Sequence, residues 1–311
     1  MKKKLIAFTL ILCIAYGIFR PKMFASAAAN GLYLRYHSVL PTLLPFGIIS
    51  NIMIRTGLYD NVFDRISSVL KHIYPLRAPL FYPIIAGFLF GFPLGSKLCA
   101  DLYHIGKISK KEAVIVSCIS NNFGPAFLFN YVCHTLPGNL LPDWLFLMIC
   151  YLSPLFIGRI LITFSPKWPD EKSPEKIPPS RSELTLTIID DGIMNGFTTM
   201  IKLAGYIMFF SIAADIITHL PISQSTLSCC VGFLEITNGI YILNESTLPV
   251  VQKWILAAAF VSFGGLSGLC QTASMLSELK TGLSVYVKFR LANMCVTILL
   301  TAVLVYCLNF R

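Results

Sequence analysis

Trp144 to Phe164 and Val285 to Leu308 are apolar runs long enough to cross the hydrocarbon core of a bilayer, which takes ~20 residues of helix. Around them lie further apolar stretches of similar reach that are broken in the middle by Gly, Pro, Asn and Ser. Of the 311 residues, 55% are hydrophobic and 13% charged, and mean hydropathy is +0.70. A water-soluble domain carries about 25% charged residues, so a soluble enzyme with a polar shell is excluded, and so is a disordered chain. The sequence reads as an all-α, polytopic membrane protein.

The formal charge is +10, from 25 Lys plus Arg against 15 Asp plus Glu. Because the basic residues fall in short stretches between apolar runs, they fit the positive-inside rule and anionic lipid head groups rather than nucleic acid. Cys13, Cys118, Cys150, Cys295 and Cys307 lie in apolar text, where Cys packs as a small hydrophobe. His37, His72, His104, His134 and His219 show no ligand spacing, so neither a metal nor a cofactor is expected.

Lys2 to Lys4 followed by Leu5 to Phe19 reads as an uncleaved first membrane helix over 1–30. A signal peptide cut near Ala25-Ser26-Ala27 is the alternative. A first unit then covers 31–164. Within it, Leu32 to Leu58 carries Pro41, Pro45, Asn51 and Arg55 and predicts a broken or re-entrant helix. Val62 to Arg77 is amphipathic and fits a membrane surface, with a water-exposed loop helix as the alternative. Residues 165–183, rich in proline and charge, form a polar linker, and 184–311 form a second unit ending in an uninterrupted span.

The two units repeat one order of events. Ala86-Gly87-Phe88-Leu89 matches Val231-Gly232-Phe233-Leu234; Ser120 lies 33 residues after Gly87, and Ser262 lies 30 after Gly232. Each serine opens a glycine-containing interruption, and a clean span follows later. Breaking a helix inside a membrane strands backbone N–H and C=O groups at several kcal/mol each, so breaks persist where protein, water or a ligand satisfies them. Paired breaks at corresponding positions of two halves point to a secondary transporter with its binding site between the halves. Glycines that only permit close helix packing are the competing explanation.

These motifs carry a family resemblance. Gly91-Phe92-Pro93-Leu94-Gly95-Ser96-Lys97 through Tyr103, followed by Gly106-Lys107-Ile108-Ser109, resembles the nucleoside-recognition (Gate) domain proteins. More narrowly, it resembles the sporulation integral membrane proteins that include a dipicolinate transporter. Leu40 to Phe46, Asn121-Asn122-Phe123-Gly124-Pro125, Glu235-Ile236-Thr237-Asn238-Gly239 and Ser262 to Ser267 match the same pattern in order. The resemblance implies two inverted repeats like those of concentrative nucleoside transporters. It also implies movement of a small anionic metabolite, dipicolinate first, in the cell membrane of a spore former, with the outer forespore membrane as the finer placement. Phe92 where the family tends to Tyr, and Gly268-Leu269 where it tends to Val-His, bear on the substrate rather than on the architecture.

The candidate substrate-binding residues are Gly91, Gly95, Lys97, Ser120, Asn121, Asn122, Glu235, Thr237, Asn238, Ser262, Gly264, Gly265, Ser267 and Gln271. Glu235 is a carboxylate in apolar text, where acids mark ion paths, proton relays or buried pairs. Lys97 and Lys202 would neutralise a dicarboxylate, or else snorkel to head groups. With no HExxH, GxSxG, paired intramembrane aspartates or P-loop, the chain does not read as an enzyme or as an ATP-driven pump. A nucleoside-like solute, or a scaffold role in spore development, are the rival functions. The expected partners are the solute, lipid, a second copy of the chain or other sporulation membrane proteins.

Overall fold

The computed structural model describes residues 2–38, 40–72, 74–165, 183–280 and 283–309; most of the expected linker lies outside them. Helix makes up 83% of the described residues, and no strand occurs among them. The first part contains α1 (Lys2–Phe19), α2 (Pro21–Ser38), α3 (Leu40–Thr56), α4 (Leu58–Leu70), α5 (Ala78–Phe90), α6 (Leu94–His104) and α7 (Lys110–Ser120). A one-turn α8 (Pro125–Phe127) runs on as a π-helical turn, Leu128–Cys133, before α9 (Asp143–Thr163). The second part contains α10 (Leu186–Thr218), α11 (Gln224–Leu234), α12 (Ile236–Glu245), α13 (Val250–Phe263), α14 (Gly265–Met275) and α15 (Ser284–Asn309).

Local chemistry sets several of these boundaries. Ser109 and Glu112 form a reciprocal capping box at the start of α7, and the Ser223 hydroxyl caps α11. Gly57 adopts a left-handed φ of 69°, which separates α3 from α4. The N-terminal segment, expected as one helix, is two: Pro21 lacks an N–H and suits a first helical position, and Thr9–Phe19 and Pro21–Tyr33 meet at a bend of 116°. Similarly, Leu32 to Leu58 is not broken at its prolines. Pro41 sits in the first turn of α3, where the amide N–H has no helical partner to lose, and Pro45 lies inside the helix, which runs on to Thr56. The amphipathic α4 turns its aromatic face onto α5, with Tyr59 and Phe63 ring centroids 5.7 and 4.9 Å from that of Tyr82.

Among the described residues, Lys110–Cys133, Asp143–Thr163, Leu186–Thr218, Val250–Met275 and Ser284–Leu308 are long and apolar enough to cross a membrane. The two broken ones, Lys110–Cys133 and Val250–Met275, are 72% and 78% buried, against 22–39% for the other three. The interrupted helices are therefore the centre of the molecule and the unbroken ones its outer wall. On that wall α2 and α3 lie along α10: a Cβ on Gly196 would stand 2.7 Å from Ile48, and one on Gly31 would stand 2.5 Å from the Ser211 hydroxyl.

Two helix pairs fold back on themselves. In α5–α6 a Cβ on Gly87 would lie 3.2 Å from Gly95 Cα and overlap the Ser120 carbonyl; in α11–α12 a Cβ on Gly239 would overlap Gly232 Cα. The molecule also has two distinct ends. At one, Lys107 pairs with Asp60 at 2.9 Å, Arg77 with Glu112 at 2.5 Å, and Lys110 Nζ donates to the Lys280 carbonyl at 3.4 Å. At the other, Trp254 Nε1 donates to the Pro137 carbonyl at 3.0 Å and Lys253 Nζ to that of Asn244 at 2.6 Å.

Candidate functional site

Each hairpin tip meets the helix break of its own half. At the first, Gly91 has φ 91°, and a Cβ there would come within 2.6 Å of Gly124 N, in the stretch that separates α7 from α8. Only glycine reconciles that backbone angle with so close an approach. At the second, Gly264 and Gly265 take φ values of 92° and 66° between α13 and α14, and a Cβ on Gly265 would sit 3.4 Å from the Leu234 carbonyl.

The breaks free backbone carbonyls, and buried side chains recover them. Asn122 Nδ2 donates to the Ile119 carbonyl at 2.7 Å, while Tyr151 donates to the carbonyls of Phe88 and Phe123 at 2.6 and 3.1 Å. The Ser262 carbonyl accepts from Asn293 Nδ2 at 3.1 Å and Arg290 Nη1 at 3.4 Å. Arg290 Nη1 also donates to Asn122 Oδ1 at 3.2 Å, and its Nε to the Tyr286 hydroxyl at 3.0 Å. Asn121 Nδ2 donates to the same hydroxyl at 2.7 Å and to Thr272 Oγ1 at 2.8 Å. Arg290 thus joins the break of the first half to that of the second.

The sequence reading missed Arg290. It treated Val285 to Leu308 as a plain span, yet Tyr286, Arg290, Asn293, Thr297 and Thr301 are all buried at 2% exposure or less on one face of α15. Arg290 makes no ion pair among the described residues, and its Nη2 has no hydrogen-bond partner. Asn121 Oδ1 and Gln271 Oε1 are likewise buried without partners. A buried guanidinium without a counter-charge is costly in a membrane interior.

The expected residues divide into three groups. Asn121, Asn122 and Ser262 form the Arg290 junction; Ser120 and Gly95 are packed together beside it; and Ser267 accepts from Gln271 at 3.0 Å on α14. Glu235, Thr237 and Asn238 form a separate tip. The Glu235 carboxylate caps α12, accepting from Asn238 N at 2.8 Å and Thr237 Oγ1 at 3.0 Å. Asn238 Nδ2 reaches Ser211 at 3.2 Å, and Tyr131 donates to the Thr237 carbonyl at 2.7 Å. Both carboxylate oxygens are held by donors at a helix N-terminus, so the cap occupies the group. Glu235→Gln is expected to leave a folded protein that has lost ~1 kcal/mol of cap stability, with uptake retained. Thermal melting beside transport checks this, and lost uptake at an unchanged melting temperature would make Glu235 a solute or proton group.

Lys97 stands apart from both groups. It pairs with Asp101 one turn along α6 and lines a cavity of about 360 Å³ with Lys202, Arg55 and His104. Arg55 pairs with Asp191 at 2.6 Å. Asp215 accepts from the Tyr16 hydroxyl at 2.5 Å. Among the described residues no group of three or more His, Cys, Asp or Glu is placed to hold a metal.

Apolar spans around a buried, broken and hydrogen-bonded centre define a multi-pass integral membrane protein. The chain is similar to the sporulation integral membrane protein YlbJ of Bacillus subtilis (strain 168), with 25% identity over 88% of this chain and 76% of that protein. No family model matches the chain, and no solved structure does.

Proposed function

We propose that the protein is a secondary transporter or facilitator of a small anionic metabolite in sporulation, with dipicolinate as the first candidate. The observation that carries this reading is Arg290, a buried cation without a carboxylate partner, held where two helix breaks meet. A passing carboxylate would supply the missing charge and meet Nη2, while the free oxygens of Asn121 and Gln271 would accept from a donor on the solute.

The order of ends supports reading the two halves as inverted repeats. Both ends of the α5–α6 hairpin lie at the face of the Lys107–Asp60 pair, while α12 and α13 are tied together at the opposite face through Lys253 and Asn244. One hairpin then enters from each side, and each half supplies one broken helix to the centre. Arg65, Lys71, Arg77, Lys107, Lys110, Lys111 and Lys280 lie in or beside the connections at the first face, which the positive-inside rule makes cytosolic. We place the protein in the cell membrane of a spore former, with the outer forespore membrane as the finer assignment.

The test is uptake of labelled dipicolinate into proteoliposomes of the purified protein, with nucleosides and small dicarboxylates as competitors. Saturable uptake absent from empty liposomes is expected. No uptake of any of these solutes by folded, reconstituted protein would overturn the reading and favour a scaffold role.

A further inference from the structure

The 360 Å³ cavity is separate from the Arg290 junction and opens at the basic end of the molecule. Four helices and the short turn Ser277–Leu279 supply its walls: Arg55 from α3, Lys97 and His104 from α6, Asp191 to Lys202 from α10, and Ser274 and Met275 from α14. Its size lies at the lower end of the ~300–1,000 Å³ range of small-molecule pockets. Arg55, Lys97 and Lys202 line it together with Asp101, Asp191 and Glu278. Arg55 pairs with Asp191 and Lys97 with Asp101, whereas Lys202 has no carboxylate at ion-pair distance among the described residues. Lys202 and the neighbouring Thr198 are exposed at the cavity wall.

The cavity also adjoins the junction along the chain. On α14, Gln271 and Thr272 lie one turn before Ser274 and Met275; on α6, the buried and unpartnered Ser96 hydroxyl belongs to the residue beside Lys97. The α6–α14 seam therefore leads from an open cavity with a lysine outside any ion pair to a closed site with an arginine outside any ion pair.

We propose that this cavity is an anion-capture vestibule, in which Lys202 holds a carboxylate of the solute before it passes along the α6–α14 seam to Arg290. The paired Lys97 and Arg55 are kept from trapping the anion, because each already has a carboxylate neighbour. This extends the transport reading and rests on it for the identity of the solute, but the electrostatics of the cavity can be measured without transport.

The experiment places a cysteine at Thr198, one turn from Lys202, in full-length protein whose Cys229, Cys230, Cys270, Cys295 and Cys307 are replaced by serine. Its rates with two small methanethiosulfonates, one bearing a sulfonate and one a trimethylammonium, are normalised to their rates with free thiol. The sulfonate reagent is expected to react about 3- to 10-fold faster, as one nearby unpaired cation in a wet site dictates. Lys202→Gln should abolish the preference, and dipicolinate should slow the labelling. In transport, Lys202→Gln should raise the half-saturation concentration several-fold and leave the maximal rate. Equal rates for both reagents, or a preference indifferent to Lys202→Gln, would overturn the vestibule. A Lys202-dependent preference in a protein that moves no solute would leave the anion site standing and sink the transport reading instead.

Discussion

Arg290→Gln is expected to lower dipicolinate uptake by about 10- to 100-fold at subsaturating solute. The basis is the loss of a charge-assisted contact worth ~1.5–3 kcal/mol, at ~1.4 kcal/mol per tenfold. Arg290→Lys should recover part of this, because it keeps the cation but loses the planar fork that spans Asn122 Oδ1, the Ser262 carbonyl and the Tyr286 hydroxyl. Stability separates this account from a structural one. Glutamine forfeits hydrogen bonds to both breaks, but it also removes an unpaired buried charge, and the two effects offset each other. Uptake should therefore collapse while the melting temperature moves by only a few degrees. If Arg290→Gln unfolds the protein and Arg290→Lys restores stability without restoring uptake, Arg290 is a brace and not a solute ligand.

The second large effect falls on the hairpins. Gly239→Ala places a methyl group onto Gly232 Cα, and Gly87→Ala places one onto the Ser120 carbonyl beside Gly95. Overpacking of side chains costs ~1–3 kcal/mol where neighbours can yield. Here the neighbours are backbone, which can move only by separating the hairpin arms, so the cost exceeds that range. Both variants are expected to fail to accumulate, or to melt more than about 10 °C below wild type. Gly205→Ala is the control: nothing lies within 4 Å of its Cβ position on α10, so it should be neutral or slightly stabilising. Fluorescence-detected size exclusion with a thermal ramp reads all three. A normal Gly239→Ala protein would show that the arms of α11 and α12 do not touch.

The apolar runs and their interruptions were legible in the sequence, because hydrophobic length and Gly or Pro punctuation are local properties. Gly87 and Ser120 meet where the first hairpin reaches the first break, whereas Gly232 lies against Phe260, one turn before the second break. Arg290 was not read, because an otherwise apolar run outweighs one cation when hydropathy is judged along the chain. The spacings from Tyr286 through Arg290, Asn293 and Thr297 to Thr301 are 4, 3, 4 and 4, a helical stripe that a face-by-face reading exposes.

Lys97 lies elsewhere than its place in the sequence suggests. It follows the Gly91–Gly95 turn directly, but a residue three along a helix from the tip belongs to a different wall, and Asp101 one turn further draws it there. Glu235 was read as a lone intramembrane acid. Its second identity, a cap that begins a helix at Ile236, required knowing that α11 ends at Leu234. The N-terminal bend turns on Pro21, whose missing N–H favours a helix start over a continuation.

The most direct measurement compares two competitors of labelled dipicolinate uptake in proteoliposomes: unlabelled dipicolinate and its uncharged diamide, which keeps the ring and shape and lacks the carboxylates. A site built around an uncompensated Arg290 predicts saturable uptake that unlabelled dipicolinate abolishes and that the diamide leaves unchanged at a hundredfold higher concentration. Equal competition by the diamide would contradict it, since a neutral molecule of the same shape would then satisfy the junction without supplying the charge that Arg290 lacks.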